Sequence, residues 1–353
     1  MRVLVTGHNG YIGAVLVPLL QAAGHEVVGL DSYLFEDCTF GKDVPDVLAL
    51  RMDVRDVEVS DLEGFDAVIH LAGIPNDPLG NLNPECTYAL NHEASVRLAR
   101  LSKQAGVGRF LFSSSCSLYG AARENLVTEE AAFNPITPYG RSKVLVEEAV
   151  ARLAGADFSP TFLRNATVYG VSPRLRTDLV INNLVGFAYI TGEVLIRSDG
   201  TPWRPLAHVE DISRAFLVVL EAPRELIHNE AFNVGITDEN YQIRDVAEIV
   251  EEVIPGSKVA YATGGGPDPR CYRVDGSKLA MTFPEFQPQW TVRRGVEELF
   301  EAYQRYGLTF EAFVGRFMRL EHIKKLLHEQ SLDPSLRWRH AVHASPDEYA
   351  ENV

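Results

Sequence analysis

With 353 residues, 46% of them hydrophobic, the chain is long enough to bury one large core or two smaller ones. Its formal net charge of −15 rules out the concentrated positive field that phosphate backbones require, so no nucleic-acid partner is expected, although a few arginines in a pocket suffice for a small anion. The opening apolar run is too short for a signal peptide, nothing approaches a membrane span, and four scattered cysteines (Cys38, Cys86, Cys116, Cys271) offer neither a disulfide framework nor metal-like spacing; a reduced cytoplasmic protein without membrane or metal is expected.

In chain order, "RVLVTG" reads as a strand and a helix follows from about Tyr11 to Ala23. Then come the strands "EVVGLD", "VLALRMDV" and "DAVIHLAG", a helix from about Glu85 to Gln104, and the strand "RFLFSSS". Each strand is a continuous apolar run, as in a parallel sheet covered on both faces. A helix containing Lys143 leads to "SPTFLRNATVYG", and beyond about Thr167 the alternation weakens into Gly- and Pro-rich segments such as "SDGTPWRP" and "TGGGPDPR". The expected fold is α/β: a Rossmann-type doubly wound parallel sheet over residues 1–167, to which some later segments return, and a smaller C-terminal α/β substrate-binding lobe over 168–305. A charged helical extension with a polar, frayed tail occupies 306–353.

"VLVTGHNGYIG" places Gly7, Gly10 and Gly13, with Tyr11 and Ile12 between the last two, at the join of the first strand and first helix. Glycines there allow a tight turn and let a pyrophosphate approach the backbone, while the helix N-terminus offers unpaired N–H groups. Asp31 closes the second strand, where an acid accepts hydrogen bonds from ribose hydroxyls and repels a 2′-phosphate, so NAD is favoured over NADP. Further on, "YGRSK" sets Tyr139 and Lys143 four apart on one helical face. A free tyrosine titrates near about 10 and is a poor base at neutral pH; a lysine beside it supplies the field that changes this.

The glycine spacing, Asp31, "MDV" at Met52 to Val54, "HLAG" at His70 to Gly73, Asn91 and "YGRSK" together resemble the extended short-chain dehydrogenase/reductase family, in its NAD-dependent nucleotide-sugar epimerase/dehydratase group, over residues 1 to 300 or so. The resemblance implies that Asp53 and Val54 bracket the adenine and that Leu71, Ala72 and Gly73 line the middle of the cofactor. Asn91, Ser113, Asn165, Tyr139 and Lys143 join that cofactor set. It also implies that Ser115 hydrogen-bonds the reacting sugar oxygen and shares a proton with Tyr139 as hydride moves to NAD, Lys143 holding the nicotinamide ribose. Arg204 in "WRPLAHVEDI" and Arg270 in "GPDPRCYRVDGSKL" are expected at the nucleotide diphosphate, and Thr167 near the sugar. The helices at about Glu85 to Gln104 and Thr137 to Leu153 resemble those that pair in the family's homodimers.

Cys116 and Ser117 stand where the family's 4,6-dehydratases carry Asp and Glu. Without those carboxylates, elimination of water lacks its acid and base, which leaves epimerisation through a transient keto sugar as the expected reaction. A dehydratase, decarboxylase or keto-reductase on the same scaffold is the enzymatic alternative, and a non-catalytic NAD-binding sensor is the alternative of another class. Cys116 reads either as a small buried filler or as a weak acid in proton exchange at carbon.

Overall fold

The computed structural model describes residues 1–41, 44, 46–121, 126–263 and 270–339. Its strands are β1 (Arg2–Thr6), β2 (Glu26–Asp31), β3 (Ala49–Arg51), β4 (Ala67–His70), β5 (Arg109–Ser115), β6 (Ser159–Asn165), β7 (Thr167–Tyr169), β8 (Glu193–Ile196), β9 (Trp203–His208), β10 (Glu230–Val234), β11 (Asn240–Gln242) and β12 (Lys258–Tyr261). The largest sheet runs β10-β6-β5-β4-β1-β2-β3, and every pairing in it is parallel. Helices cover both faces, which is why Val3, Leu4, Val5, Val68 and Ile69 are fully buried whichever way they point.

The chain winds outward from β1 through β2 to β3, then returns to the other side of β1 as β4 and continues through β5 and β6. This reversal opens a crevice at the carboxyl ends of β1 and β4, the place where doubly wound sheets bind ligands. The ends of β2, β3, β5 and β6 face the same side, so Asp31, Ser115 and Asn165 are delivered there by strand register alone.

Beyond β6 the chain builds a smaller unit from the sheet β11-β9-β7 and the pair β12-β8. Its core is Leu184, Val185, Val246, Val250, Val296 and Leu299, contributed by the helices Val180–Thr191, Ile243–Val253 and Val292–Tyr306. β10 lies in the middle of this stretch of sequence yet pairs with β6 in the large sheet.

The structure departs from the sequence reading in several places. "VLALRMDV" contributes only Ala49–Arg51 to the sheet. "SPTFLRNATVYG" splits into β6 and β7, which belong to different sheets; at the joint, Ala166 donates its N–H to Val234 of β10 (3.0 Å). The first helix begins at Gly13. The helix expected over 85–104 is three pieces, Pro84–Tyr88, a wide π-helical turn Ala89–Glu93 and Ala94–Gln104; such turns absorb an extra residue where a side chain must be re-aimed. Residues 264–269 of the "TGGGPDPR" loop and the final "HASPDEYAENV" lie outside the described residues.

The C-terminal extension folds back over the large sheet. Its helix Arg319–His328 sends Ile323 and Leu326, followed by Leu332 and Leu336, into the same core as Leu30, Val54 and Ile74. Trp338 Nε1 donates to the Ser32 carbonyl (2.7 Å), and Arg337 forks onto Asp56 (2.6 and 2.9 Å). No helix among the described residues is long and apolar enough to cross a membrane.

Candidate active site

The turn after β1 has the shape of a phosphate cradle. Gly7 adopts φ +75°, and a Cβ there would meet the Ala72 nitrogen at 2.7 Å; a Cβ on Gly13 would meet the Gly7 carbonyl oxygen at 2.3 Å. Only glycine lets this loop press against the end of β4 and the helix Gly13–Ala22 close behind it. Asp31 accepts hydrogen bonds from Tyr33 N (2.7 Å) and Asn9 N (3.1 Å). Burial pushes its carboxyl above the usual range, His8 and these amides pulling the other way. The crevice is walled by Gly7, Gly10, Tyr11, Ile12, Gly13, Asp31, Asp53, Val54, Leu71, Ala72 and Gly73, and also by Arg176, Arg319, Ile323 and Leu336.

Tyr139 and Lys143 ride on the helix Pro138–Ala151, which begins with proline and is capped by Thr137, whose Oγ1 accepts from Gly140 N (3.1 Å). Lys143 is buried. Its Nζ donates to the Ser113 carbonyl (2.7 Å) and stands 4.6 Å from the Phe112 ring centroid and 5.7 Å from that of Tyr139. Burial lowers its pKa to about 8, Glu147 partly opposing. The Tyr139 phenol is pushed up to about 12 by burial, against a hydrogen bond with Ser115 that favours the phenolate. Ser115 Oγ also accepts from Ser117 N (3.2 Å). The end of β5 and the first turns of one helix thus bring Ser115, Tyr139 and Lys143 into one cluster.

Two buried oxygens beside this cluster, Ser117 Oγ and Asn165 Oδ1, have no hydrogen-bond partner. Asn165 Nδ2 donates to Ser113 Oγ (2.9 Å), which fixes the amide orientation and leaves its acceptor idle. An unsatisfied buried polar atom costs about 1–3 kcal/mol, a cost that an amide or hydroxyl donor on a bound molecule removes. The glycine cradle, the acid at the end of β2 and these idle acceptors fit a dinucleotide with a carboxamide at its far end.

Other expected residues sit differently. Asn91 spends both ends of its amide on Ile74, Oδ1 accepting from its N–H (2.6 Å) and Nδ2 donating to its carbonyl (3.0 Å), and so shapes the loop after β4. Asp53 is gripped by the Arg55 guanidinium (2.5 and 2.9 Å), so its backbone, with Val54, forms the wall. The Tyr11 hydroxyl donates to Gly170 (2.6 Å) and ties the cradle to the smaller unit. Ser114 Oγ donates to Glu147 (2.5 Å) within a buried ion pair with Arg164. The Cys116 thiol is fully buried, donates to the Arg164 carbonyl (3.1 Å), and has its pKa driven up by burial. Thr167 is half-buried at the start of β7.

Arg204 and Arg270 do meet. Arg204 donates to the Trp203 carbonyl (2.8 Å) and to that of Arg270, while the Arg270 guanidinium binds Asp77 (2.6 Å). Asp77 also accepts from Thr137 Oγ1 (2.6 Å), so the substrate-side arginine is wired to the cap of the Tyr139 helix. Sequence reasoning missed Asp77 in an unremarkable "NDPLG", and it missed the buried Arg176 and Arg319. His70, between Thr6 Oγ1 (2.6 Å) and Ser95 Oγ (2.7 Å), is held neutral, burial bringing its pKa to about 3; its role is to lock β1, β4 and the adjoining helix together. No cluster of potential metal ligands exists among the described residues.

Residues 3–235 match the family described as "NAD dependent epimerase/dehydratase family". The UDP-glucose 4-epimerase of Lactobacillus helveticus is 29% identical over 314 residues, covering 82% of this chain and 92% of that protein. The UDP-glucose 4-epimerase of Azospirillum brasilense is 31% identical over 279 residues, covering 71% and 77%. Among solved structures, MoeE5 in complex with UDP-glucuronic acid and NAD superposes with a TM-score of 0.75 at 28% identity, covering 86% of this chain and 99% of that one; roughly a seventh of this chain has no counterpart there. With the cradle, the acid and the Ser115, Tyr139 and Lys143 cluster in place, the chain belongs to the NAD-dependent epimerase/dehydratase family.

Proposed function

We propose that the protein is a nucleotide-diphosphate-sugar epimerase that inverts carbon 4 of a UDP-hexose by transient oxidation to a keto sugar. The observation that carries this reading is the Ser115, Tyr139 and Lys143 cluster at the carboxyl end of β5, where Cys116 and Ser117 stand in place of a carboxylate pair. Bound NAD supplies the acceptor and return donor of hydride and the positive charge of its oxidised ring.

The chain's own residues handle the proton. Ser115 Oγ holds the sugar hydroxyl, and Tyr139 takes its proton as the carbon–hydrogen bond yields, then returns it. A phenol at about 12 is too weakly acidic to serve unaided. The buried Lys143 ammonium stabilises the phenolate through a low-dielectric path, and its anchorage on Ser113 fixes where that charge sits. Dehydration would need a further acid and base at positions 116 and 117; a thiol bonded to a carbonyl and a hydroxyl stand there. The nearby Asp77 carboxylate accepts from Thr137 Oγ1 (2.6 Å) and pairs with Arg270.

Arg204 and Arg270 serve the substrate diphosphate, Arg270 exchanging its grip on Asp77 for phosphate oxygens, which arginine accommodates in a fork. Thr167 and Ser117 contact the sugar. The outer faces of the helices Ala94–Gln104 and Pro138–Ala151, which expose Arg97, Arg100, Arg141, Leu145 and Glu148, form a homodimer interface, and the dimer works in the cytoplasm. Incubation with UDP-, GDP-, dTDP- and CDP-sugars followed by NMR tests the function: interconversion of a 4-epimer pair supports it, whereas a free keto or deoxy-keto product assigns the scaffold to a dehydratase or oxidoreductase.

A further inference from the structure

Among the described residues Arg319 is the largest fully buried side chain, 1% exposed, and it stands on the wall of the cofactor crevice. It comes from the C-terminal extension, far in sequence from the dinucleotide-binding strands. One nitrogen, NH2, donates to the Arg174 carbonyl (3.0 Å) and the guanidinium lies 4.4 Å over the Phe35 ring. The other, NH1, is buried without any partner. No carboxylate lies within ion-pairing distance of Arg319 among the described residues. Arg176, on the same wall, is matched by Asp178 (2.7 Å); Asp178 also attracts Arg319 electrostatically but makes no ion pair with it, so the Arg319 charge is only partly offset.

A buried guanidinium with an unpartnered nitrogen and no direct ion pair is a costly group for a fold to carry. Such a charge persists where a ligand completes it. The crevice it faces is the one whose glycine cradle takes a diphosphate, and guanidinium is the side chain suited to phosphate oxygens. We infer that Arg319 is a ligand of the NAD diphosphate, delivered by the C-terminal extension, which thereby serves as the outer wall of the cofactor site.

The extension's other contacts agree with that role. Ile323 and Leu336 line the crevice beside Val54, and Trp338 holds the Ser32 carbonyl, next to Asp31. Together they cover the adenosine end while Arg319 takes the diphosphate. This rests on the NAD reading of the crevice and adds a ligand that the glycine turn does not supply.

The test is titration of full-length protein, freed of nucleotide, with NAD, ADP-ribose and adenosine, in the wild type, Arg319→Met and Arg319→Lys. Loss of a charged hydrogen-bonding group predicts that Arg319→Met weakens NAD and ADP-ribose by about 10- to 100-fold and leaves adenosine within about twofold. Arg319→Lys, which keeps the charge without the fork, falls between and serves if the methionine variant does not fold. The unliganded Arg319→Met protein should melt no lower than wild type, since a buried charge with an unpartnered nitrogen has been removed. Unchanged NAD affinity in both variants, or a parallel fall in adenosine and NAD affinity with a lowered melting temperature, would show Arg319 to be only a structural anchor. Wild-type protein that binds none of the three overturns the cofactor reading itself.

Discussion

The Lys143 ammonium donates to the Ser113 carbonyl across 2.7 Å, pinning the helix that carries Tyr139 to the last turn of β5. The same burial that makes this lysine useful holds its pKa at about 8, below the ordinary 10.5. Between those values the unfolded chain binds the proton more tightly than the folded one. Stability therefore rises with pH through that window, and the full cost is present below about pH 8. Replacement by an apolar residue of similar length should relieve it: Lys143→Met is expected to unfold at the same or a higher temperature than wild type at pH 7, by an upper bound of about 3 kcal/mol, with the excess shrinking towards pH 10.5. Differential scanning calorimetry across pH checks the sign. The variant should also be inactive, since no charge remains to stabilise the phenolate.

Tyr139→Phe removes the proton-transferring hydroxyl and leaves the ring in place. Turnover should fall by about 10²-fold or more while NAD affinity, measured by calorimetry, stays within about threefold. A variant that turns over near the wild-type rate would remove Tyr139 from the mechanism.

These residues were readable because the chemistry demands a fixed spacing. Tyr139 and Lys143 must share a helix face, Gly7 and Gly13 must lack side chains, and Asp31 must end the second strand. Asn91 fits the same sequence pattern, yet its amide is used up on the Ile74 backbone, an outcome set by a π-helical turn that no periodicity announces. The strand "SPTFLRNATVYG" reads as continuous because strand-favouring residues run through both halves; the pairing of Ala166 with Val234 and the separate sheets of β6 and β7 show the break. Arg319 was hidden in "RLEHIKKLLH", whose charges suggest a solvated helix. Its one signal is position: Arg319, His322, Ile323 and Leu326 share the buried stripe, and an arginine on such a stripe calls for a partner.

Asp31, accepting from two backbone amides, is predicted to set the cofactor preference. NAD should bind at least about tenfold more tightly than NADP, because a 2′-phosphate would meet the Asp31 carboxylate while the neighbouring Arg51 is already forked onto Glu36 (2.9 and 2.5 Å). In Asp31→Asn the gap should narrow, through both weaker NAD binding and reduced repulsion of NADP. Equal affinities in the wild-type protein would contradict this role.

Cys116 is predicted to be a packing residue. Its buried thiol, donating to Arg164 and held protonated by its surroundings, is unsuited to proton exchange at carbon. Cys116→Ser and Cys116→Ala should change stability by about 0.5–2 kcal/mol and keep turnover within a few-fold. A selective loss of turnover in both variants with NAD binding intact would assign it a chemical part.

The most direct test of the central claim follows the hydrogen on the inverted carbon. With UDP-glucose deuterated at carbon 4 as substrate, the account predicts UDP-galactose that retains the deuterium at carbon 4, with no net accumulation of reduced cofactor, because the hydride taken from the sugar returns to it. Product lacking that deuterium, or stoichiometric build-up of NADH with a released keto sugar, would contradict transient oxidation as the route.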